Sequence, residues 1–268
     1  MRSGYVHGYD PTENQRLQDQ AGTLVELLHA DTFFPAGSRV LEAGCGVGAQ
    51  TVILAANSPG ALIESIDISA ESVSQAQRTV VAGGFSNVSL RQADIFDLPF
   101  EPASFDHVFV CFVLEHLAQP VRALQALRRM LKPDGTITVI EGDHGSTYFY
   151  PESEYARRAV LCQVELQARA GGNALIGRSL YPLLTAAGLA DVQVSPRMVY
   201  VDGSRPALID GFTRKTFTAM IEGVREPAVR AGLMSATDFD RGIDDLERTA
   251  RPDGVFCYTF FKARARSP

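Results

Sequence analysis

The sequence contains 268 residues, 46% of them hydrophobic, which suits one globular domain with insertions that buries its own core. Its 25 lysines and arginines against 31 aspartates and glutamates give a formal net charge of -6, so neither nucleic acid nor an anionic membrane is an expected partner. The four cysteines form no CxxC pair, so no metal site is expected. No apolar run has membrane-spanning length, which predicts a cytoplasmic protein. We expect a monomer or homodimer.

The first segment, residues 1–36, is predicted to contain a flap and an amphipathic helix. The stretch "GYVHGYD" places Tyr5 and Tyr9 beside glycines, which favours a mobile flap over a ligand site. A tail packed on the fold is the alternative. Apolar residues then recur at helical spacing over 12–30, which predicts the helix.

Predicted strands and helices alternate over residues 37–145. Short apolar runs predict strands over 39–41, 62–66, 88–91, 105–112 and 136–141, and helical periodicity lies between them over 50–56, 70–81 and 120–131. This alternation is typical of a parallel sheet with helices on both faces. The predicted fold class is therefore α/β with a Rossmann-like sheet.

The alternation loosens after residue 145. We expect a helical insertion over 146–177, a continuation of the core over 178–198, a helical cap insertion over 199–252, and a last strand and tail over 253–268. Since chain ends are commonly disordered, residues 262–266 are expected to be a frayed and solvated end.

The stretch "VLEAGCGVGAQT" carries the strongest functional signal. Gly44, Gly46 and Gly48 lie between a predicted strand and a helix, an arrangement that presents backbone N–H groups to an anionic ligand group. Together with Asp67, about 20 residues further on, this pattern also fits a dinucleotide site, so an NAD(P)-dependent oxidoreductase is an alternative. Glu42 argues against it, because its carboxylate would repel a pyrophosphate and attract a cation. S-adenosylmethionine, a phosphate-free nucleoside with a carboxylate and two cationic centres, fits these residues.

Further motifs then resemble those of the class I S-adenosylmethionine-dependent methyltransferases, in the subgroup similar to ubiquinone and menaquinone biosynthesis enzymes. They are "EAGCGVG", "SIDIS", "QADIFDLPF", "FDHVFVCFVLEHL" and "LKPDGTITVIEGDHG", and they cover about half of the chain. The resemblance implies an antiparallel last strand and a small-molecule acceptor. It also implies a set of cofactor-binding residues: Glu42, Gly44, Cys45, Gly46, Gly48, Asp67, Ile68, Asp94, Ile95, Cys111 and Phe112.

Within that set the resemblance implies separate tasks. Asp67 would hold the ribose hydroxyls, while Asp94 and the backbone at Ile95 would reach the adenine amino group. Cys111 and Phe112 would lie near the methionine moiety. A structural explanation exists for each, since Asp94 could cap a turn and Cys111 and Phe112 could be core residues.

Methyl transfer is an in-line displacement, in which the protein aligns the acceptor and excludes water. A hydroxyl or carbon acid also needs a general base. His144 is the first candidate because it follows a predicted strand and histidine is the side chain whose ordinary pKa lies near neutral pH. Glu141 and His116 are further candidates.

The second half of the chain mixes aromatic and cationic residues, which favours a pocket for a planar or carboxylated acceptor. The predicted pocket residues are Tyr5, Tyr9, Tyr148, Arg178, Tyr181, Arg197 and Tyr200. A methyltransferase acting on a protein or a nucleic acid is a further alternative. The sequence argues against the nucleic-acid case, because Cys111 to Leu114 replace the Asn/Asp-Pro-Pro-aromatic motif of amino-methylating DNA enzymes.

Overall fold

The computed structural model describes residues 22–268. The predicted flap with Tyr5 and Tyr9, and the first part of the predicted helix, lie outside the described residues. The remainder of that helix, α1, covers residues 22–29, and its side chains Leu24 and Leu28 are buried.

A seven-stranded sheet with the order β3-β2-β1-β4-β5-β7-β6 forms the centre of the molecule. Its strands are β1 (Arg39–Ala43), β2 (Leu62–Asp67), β3 (Val88–Gln92), β4 (Phe105–Cys111), β5 (Leu131–Tyr150), β6 (Ala190–Val201) and β7 (Val255–Arg266). The first five strands pair in parallel, whereas β7 pairs antiparallel with both β5 and β6. The predicted Rossmann-like sheet with an antiparallel last strand is confirmed.

Helices cover both faces of this sheet. They are α2 (Ala49–Asn57), α3 (Ala70–Ala82), α4 (Pro120–Met130), α5 (Glu154–Arg169), α6 (Leu180–Ala186), α7 (Pro206–Leu208), α8 (Ala219–Gly223), α9 (Arg225–Arg230) and α10 (Ala236–Thr249), with a π-helix, Ile209–Thr218, between α7 and α8. One apolar core joins the sheet to α1, α2, α5 and the helices after β6, and a second joins it to α4 and α6. The sheet is therefore buried on both faces, as a parallel sheet requires.

Local sequence signals account for several helix starts. The hydroxyl groups of Ser69, Ser153 and Ser235 accept backbone N–H groups at the first turns of α3, α5 and α10. Pro120 occupies the first turn of α4, where its missing N–H is not needed.

The two predicted insertions are mainly helical, and they pack on each other. A Cβ added to Gly242 of α10 would lie 2.7 Å from the backbone oxygen of Tyr155 in α5, so these helices approach closely. The first insertion begins differently from the prediction, because β5 continues to Tyr150 by pairing with Val255 of β7. The other segment boundaries stay predictions.

The expectation of a frayed C-terminal end is wrong. Strand β7 continues to Arg266, and Lys262 is 2% exposed. The Lys262 ammonium group donates to the backbone oxygen of Leu28 at 2.9 Å, to Asp31 Oδ1 at 2.6 Å and to Thr32 Oγ1 at 2.5 Å. These partners follow or end α1, so the last strand anchors the first described helix.

Candidate cofactor and acceptor site

The glycine turn connects the end of β1 to α2 and bends towards β2. The backbone N–H groups of Gly44 and Cys45 both donate to the Ile66 oxygen, at 2.8 and 2.9 Å. Gly46 then adopts a φ of 52°, and its N–H donates to Asp67 Oδ2 at 2.9 Å. The turn and the carboxylate after β2 thus form one hydrogen-bonded unit, which brings together two residues that the sequence predicted in one site.

The three glycines have different surroundings. A Cβ on Gly44 would lie 2.4 Å from Val113 Cγ2, and one on Gly48 would lie 3.0 Å from the Cα atom of Ala76. A Cβ on Gly46 would meet no atom of the described residues within 4 Å. Gly44 and Gly48 therefore permit close packing, whereas Gly46 borders open space that suits a bound ligand.

The ends of β2 and β3 supply further groups at this edge. The other oxygen of Asp67, Oδ1, accepts the N–H of Ser69 at 2.9 Å, and the adjacent Ile68 is 62% exposed. Asp94 Oδ1 accepts the N–H of Phe96 at 2.8 Å, so Asp94 also caps its own turn. A carboxylate beside an exposed apolar side chain suits a ribose and an adenine ring. The contacts predicted for Asp94 and Ile95 stay predictions.

Glu42 lies inside the fold, between β1, β2 and α2. Its Oε2 accepts hydrogen bonds from Thr51 Oγ1 at 2.7 Å and Ser65 Oγ at 2.6 Å, and the residue is 2% exposed. Burial, with a contribution from the Asp67 charge, raises the pKa of Glu42 to about 7. Sequence reasoning missed Thr51 and Ser65. The predicted contact between Glu42 and a cofactor ammonium stays a prediction.

Strand β4 ends next to the glycine turn, and its pairing with β5 ends at Cys111 and Ile140. Cys111 ends β4 and is buried, and Phe112 follows with a φ of 58°. Glu141 of β5 is 0% exposed, and its Oε1 accepts the N–H groups of Val113 at 3.0 Å and Leu114 at 2.7 Å. Burial, together with the charge of Glu115, raises the pKa of Glu141 well above its usual range.

His144 lies in a buried aromatic cluster rather than in an open loop. Its Nδ1 is 3.2 Å from the Ala174 oxygen and 3.1 Å from the Tyr258 hydroxyl, and its Nε2 is 3.4 Å from Met220 Sδ. The ring of Phe217 completes the cluster at a centroid distance of 6.1 Å. Sequence reasoning missed Tyr258, since 114 positions separate it from His144.

His116 lies in the 3-10 helix Leu114–His116, where its Nε2 is 3.7 Å from Glu115 Oε1. Its side chain is 26% exposed. His116 therefore lies shortly after the end of β4 and has Glu115 as an acidic neighbour. The catalytic roles of His144, Glu141 and His116 stay predictions.

The predicted acceptor-pocket cations are both paired. Arg178 forms a bidentate ion pair with Asp143, in which Nε donates to Oδ2 at 2.6 Å and Nη2 donates to Oδ1 at 2.8 Å. Arg197 Nη2 is 2.6 Å from Asp31 Oδ2. Tyr148 and Tyr200 lie in register on either side of Cys257 and are exposed, and Tyr181 on α6 is 58% exposed. The pocket role of these residues stays a prediction.

Within residues 22–268, no three His, Cys, Asp or Glu side chains are grouped so that they could hold a metal ion. In the same part of the chain, no helix combines the length and apolar character needed to cross a membrane.

Parts of this chain are similar to known proteins. Residues 41–139 match the family model described as Methyltransferase domain. An uncharacterised 37.1 kDa protein from a transposon of Streptomyces fradiae is 34% identical over 78% of this chain and 58% of its own length. Demethylmenaquinone methyltransferase of Bacillus subtilis is 31% identical over 39% of this chain and 46% of its own length.

The fold is also that of a solved phosphoethanolamine N-methyltransferase of Haemonchus contortus in complex with S-adenosylhomocysteine. That structure superposes with a TM-score of 0.56 over 95% of this chain and 52% of its own, at 18% identity. The chain spans about half the length of these relatives. Residues 41–139 are therefore a methyltransferase domain, and the chain is similar to S-adenosylmethionine-dependent methyltransferases of the ubiquinone and menaquinone type.

Proposed function

We propose that this protein transfers a methyl group from S-adenosylmethionine to a small-molecule acceptor. The observation that carries the proposal is the unit formed by Gly46 and Asp67, in which a carboxylate bonded to the turn adjoins open space. A nucleoside with a ribose diol and no phosphate suits this combination. The match of residues 41–139 to the methyltransferase family supports it.

In this proposal the cofactor contacts follow the sheet edge. The turn at Gly44, Cys45, Gly46 and Gly48, whose N–H groups donate to Ile66, Asp67 and Cys45, would border the methionine moiety at the open side of Gly46. Asp67 would accept the ribose hydroxyls while Ile68 covers the base, with Asp94 and Ile95 at the adenine amino group. Glu42 would attract the ammonium group of the cofactor electrostatically. Cys111 and Phe112 would border the methionine chain. The bound cofactor supplies an electrophilic methyl group on a sulfonium centre.

The acceptor would lie beyond the end of β4, where its pairing with β5 stops, and there the protein would align it and exclude water. His144 is the proposed general base. Its Nδ1 lies 3.2 Å from the Ala174 oxygen, so an acceptor would approach the ring from the Nε2 side, where Met220 Sδ lies at 3.4 Å. Proton transfer to His144 would then require Met220 to move away from Nε2.

A small acceptor is favoured over a polymer. The net charge of -6 opposes binding to nucleic acid, and a relative of this chain is named for a quinone precursor, demethylmenaquinone. We further propose that the protein works in the cytoplasm as a monomer or homodimer, with the two helical insertions acting as a cap over the acceptor.

Calorimetric titration of the purified protein with S-adenosylhomocysteine and, separately, with NAD tests the cofactor assignment. We expect binding of S-adenosylhomocysteine and none of NAD. Methyl transfer to a panel of phenols, quinols, amines and keto acids then tests the acceptor class. Uptake of NAD without uptake of S-adenosylhomocysteine would instead support the oxidoreductase alternative.

A further inference from the structure

We propose that Glu141 is a positioning residue, which holds the loop after β4 against the glycine turn, rather than the general base of the reaction. The inference rests on the proposed function, because the loop and the turn together border the methionine end of the cofactor site. It is carried by the contacts of one buried carboxylate on β5 with the loop after β4.

The first step is the capture of the loop backbone. Glu141 projects from β5, and its Oε1 accepts the N–H groups of Val113 and Leu114, at 3.0 and 2.7 Å. Both N–H groups follow Phe112, whose φ of 58° is unfavourable for a residue with a side chain. Such a conformation persists only where the surroundings enforce it. The two hydrogen bonds to Glu141 are the enforcing contacts on the C-terminal side of Phe112.

The second step is the contact between the loop and the turn. The Val113 side chain fills the position where a Cβ of Gly44 would stand, 2.4 Å from Val113 Cγ2. The ring of Phe112 packs on Phe260 of β7, with the centroids 5.5 Å apart. The position of this loop therefore determines how the glycine turn, β4 and β7 pack against each other. The two hydrogen bonds that Glu141 accepts fix that position.

The surroundings of Glu141 suit this task better than base catalysis. The residue is 0% exposed, and one carboxylate oxygen is fully engaged by the loop. The other oxygen, Oε2, has no hydrogen-bond partner among the described residues. Burial and the Glu115 charge also raise the pKa of Glu141 well above its usual range, which shifts this buried carboxyl group towards its neutral form.

The test compares Glu141→Gln, Glu141→Leu and a matched control, Asp106→Leu. Asp106, like Glu141, accepts a backbone N–H from a neighbouring segment, since its Oδ2 accepts the Arg39 N–H of β1 at 2.8 Å. This contact lies at the opposite, amino-terminal edge of the sheet. The measurements are the melting temperature and the dissociation constant for S-adenosylhomocysteine, followed by kcat and KM once an acceptor is known.

We expect Glu141→Gln, which keeps an acceptor oxygen, to bind S-adenosylhomocysteine within about threefold of the unmodified protein and to retain methyl transfer. Glu141→Leu should weaken binding at least about tenfold, because two buried N–H groups lose their partner. Asp106→Leu should lower the melting temperature and leave the dissociation constant unchanged.

Two results would overturn the proposal. If Glu141→Gln bound S-adenosylhomocysteine normally but lost methyl transfer, Glu141 would be a proton-transfer group. If Glu141→Leu behaved like Asp106→Leu, its role would be stability alone. Should Glu141→Leu fail to fold, Val113→Ala decides: weakened binding supports the positioning role and unchanged binding contradicts it. Failure of the unmodified protein to bind S-adenosylhomocysteine would contradict the proposed function itself.

Discussion

Gly44, Gly46 and Gly48 all have positive φ angles, of 80°, 52° and 83°, yet they differ in what a side chain would meet. At Gly44 and Gly48 the obstacle is another part of the protein, whereas at Gly46 it would be a ligand. Substitutions in one turn therefore separate folding from binding.

Gly46→Ala should weaken the binding of S-adenosylhomocysteine at least about tenfold while destabilising the fold by only about 1–2 kcal/mol, the usual cost of a left-handed alanine. The physical reason is the open space that the new methyl group would enter. Calorimetric titration and thermal melting measure the two effects.

Gly37→Ala is the matched control for this change. Gly37 has a φ of 81° and no atom of the described residues within 4 Å of an added Cβ, but it precedes β1 at the opposite edge of the sheet. It should show the same loss of stability with unchanged binding. Equal binding losses in both variants would mean that strain, and not the ligand space, explains the effect.

The buried carboxylate of Glu42 makes stability depend on pH in the cofactor-free protein. Its pKa is raised from 4.5 to about 7, so the folded state binds the proton more tightly than the unfolded state. The contribution of Glu42 to the free energy of unfolding is then highest below pH 4.5, where this group is protonated in both states, and it falls as pH rises to about 7. At pH 8 the loss reaches about 3 kcal/mol, the equivalent of the full pKa difference.

Glu42→Gln should remove this pH dependence, because an amide keeps an oxygen for Thr51 and Ser65 but has no charge. Urea unfolding at several pH values measures it. We expect the variant to be more stable than the unmodified protein at pH 8 and similar at pH 4.5. A parallel pH profile for both proteins would show that Glu42 does not titrate in this range.

Among the elements, β7 has the contacts that most change the interpretation of the sequence. Residues 262–266 pair with Thr136 to Ile140 of β5 on one side and with β6 on the other. The buried Lys262 also links β7 to the segment after α1, because its ammonium group donates to Asp31. The Asp31 carboxylate accepts a second hydrogen bond from Arg197 of β6. The pKa of Asp31 falls to about 2 because Lys262 and Arg197 bond to it, against the opposing effect of burial.

Deletion of residues 262–268 should therefore lower the melting temperature by about 10 °C or more, since it removes the last five residues of β7 from its pairing with both β5 and β6, together with a buried ammonium group. Deletion of residues 267–268 alone removes a single described hydrogen bond, from Ser267 to Gly135, and should change little. Thermal melting followed by circular dichroism measures both. A small effect of the longer deletion would restore the interpretation of this stretch as a solvated end.

At the scale of the whole molecule, two insertions that are far apart in sequence form one helical layer. Strands β5, β6 and β7 extend beyond the parallel part of the sheet, and α5 and α10 pack together above them. Gly242 permits this contact, because its α-hydrogen side faces the Tyr155 oxygen and the Ala159 Cβ atom.

Gly242→Val should separate α5 from α10 and destabilise the helical layer by about 1–3 kcal/mol, the usual cost of overpacking. Hydrogen exchange should show faster exchange of amides in both α5 and α10, with little change in β1 and β2. Faster exchange in α10 alone would show that the two insertions are independent.

The sequence by itself determined the parallel core, the glycine turn, the partnership of that turn with Asp67 and the antiparallel last strand. The antiparallel last strand was implied by the resemblance to the methyltransferases, whereas the other features follow from signals within one strand, turn or helix, and from the rule that parallel strands end at one edge of a sheet. The local signals also placed most strand and helix bounds within a few residues.

Only the tertiary structure decided which partners the buried polar groups have. Glu42 with Ser65, Glu141 with Leu114, His144 with Tyr258 and Lys262 with Asp31 are 23, 27, 114 and 231 positions apart. A buried charge or hydrogen-bonding group needs a partner, but its residue type does not say which distant segment will supply one. The packing of the whole chain determines which segment supplies the partner. For this reason the sequence did not predict the paired and buried state of residues 262–266, nor the hydrogen bonds of Glu141 to the loop after β4.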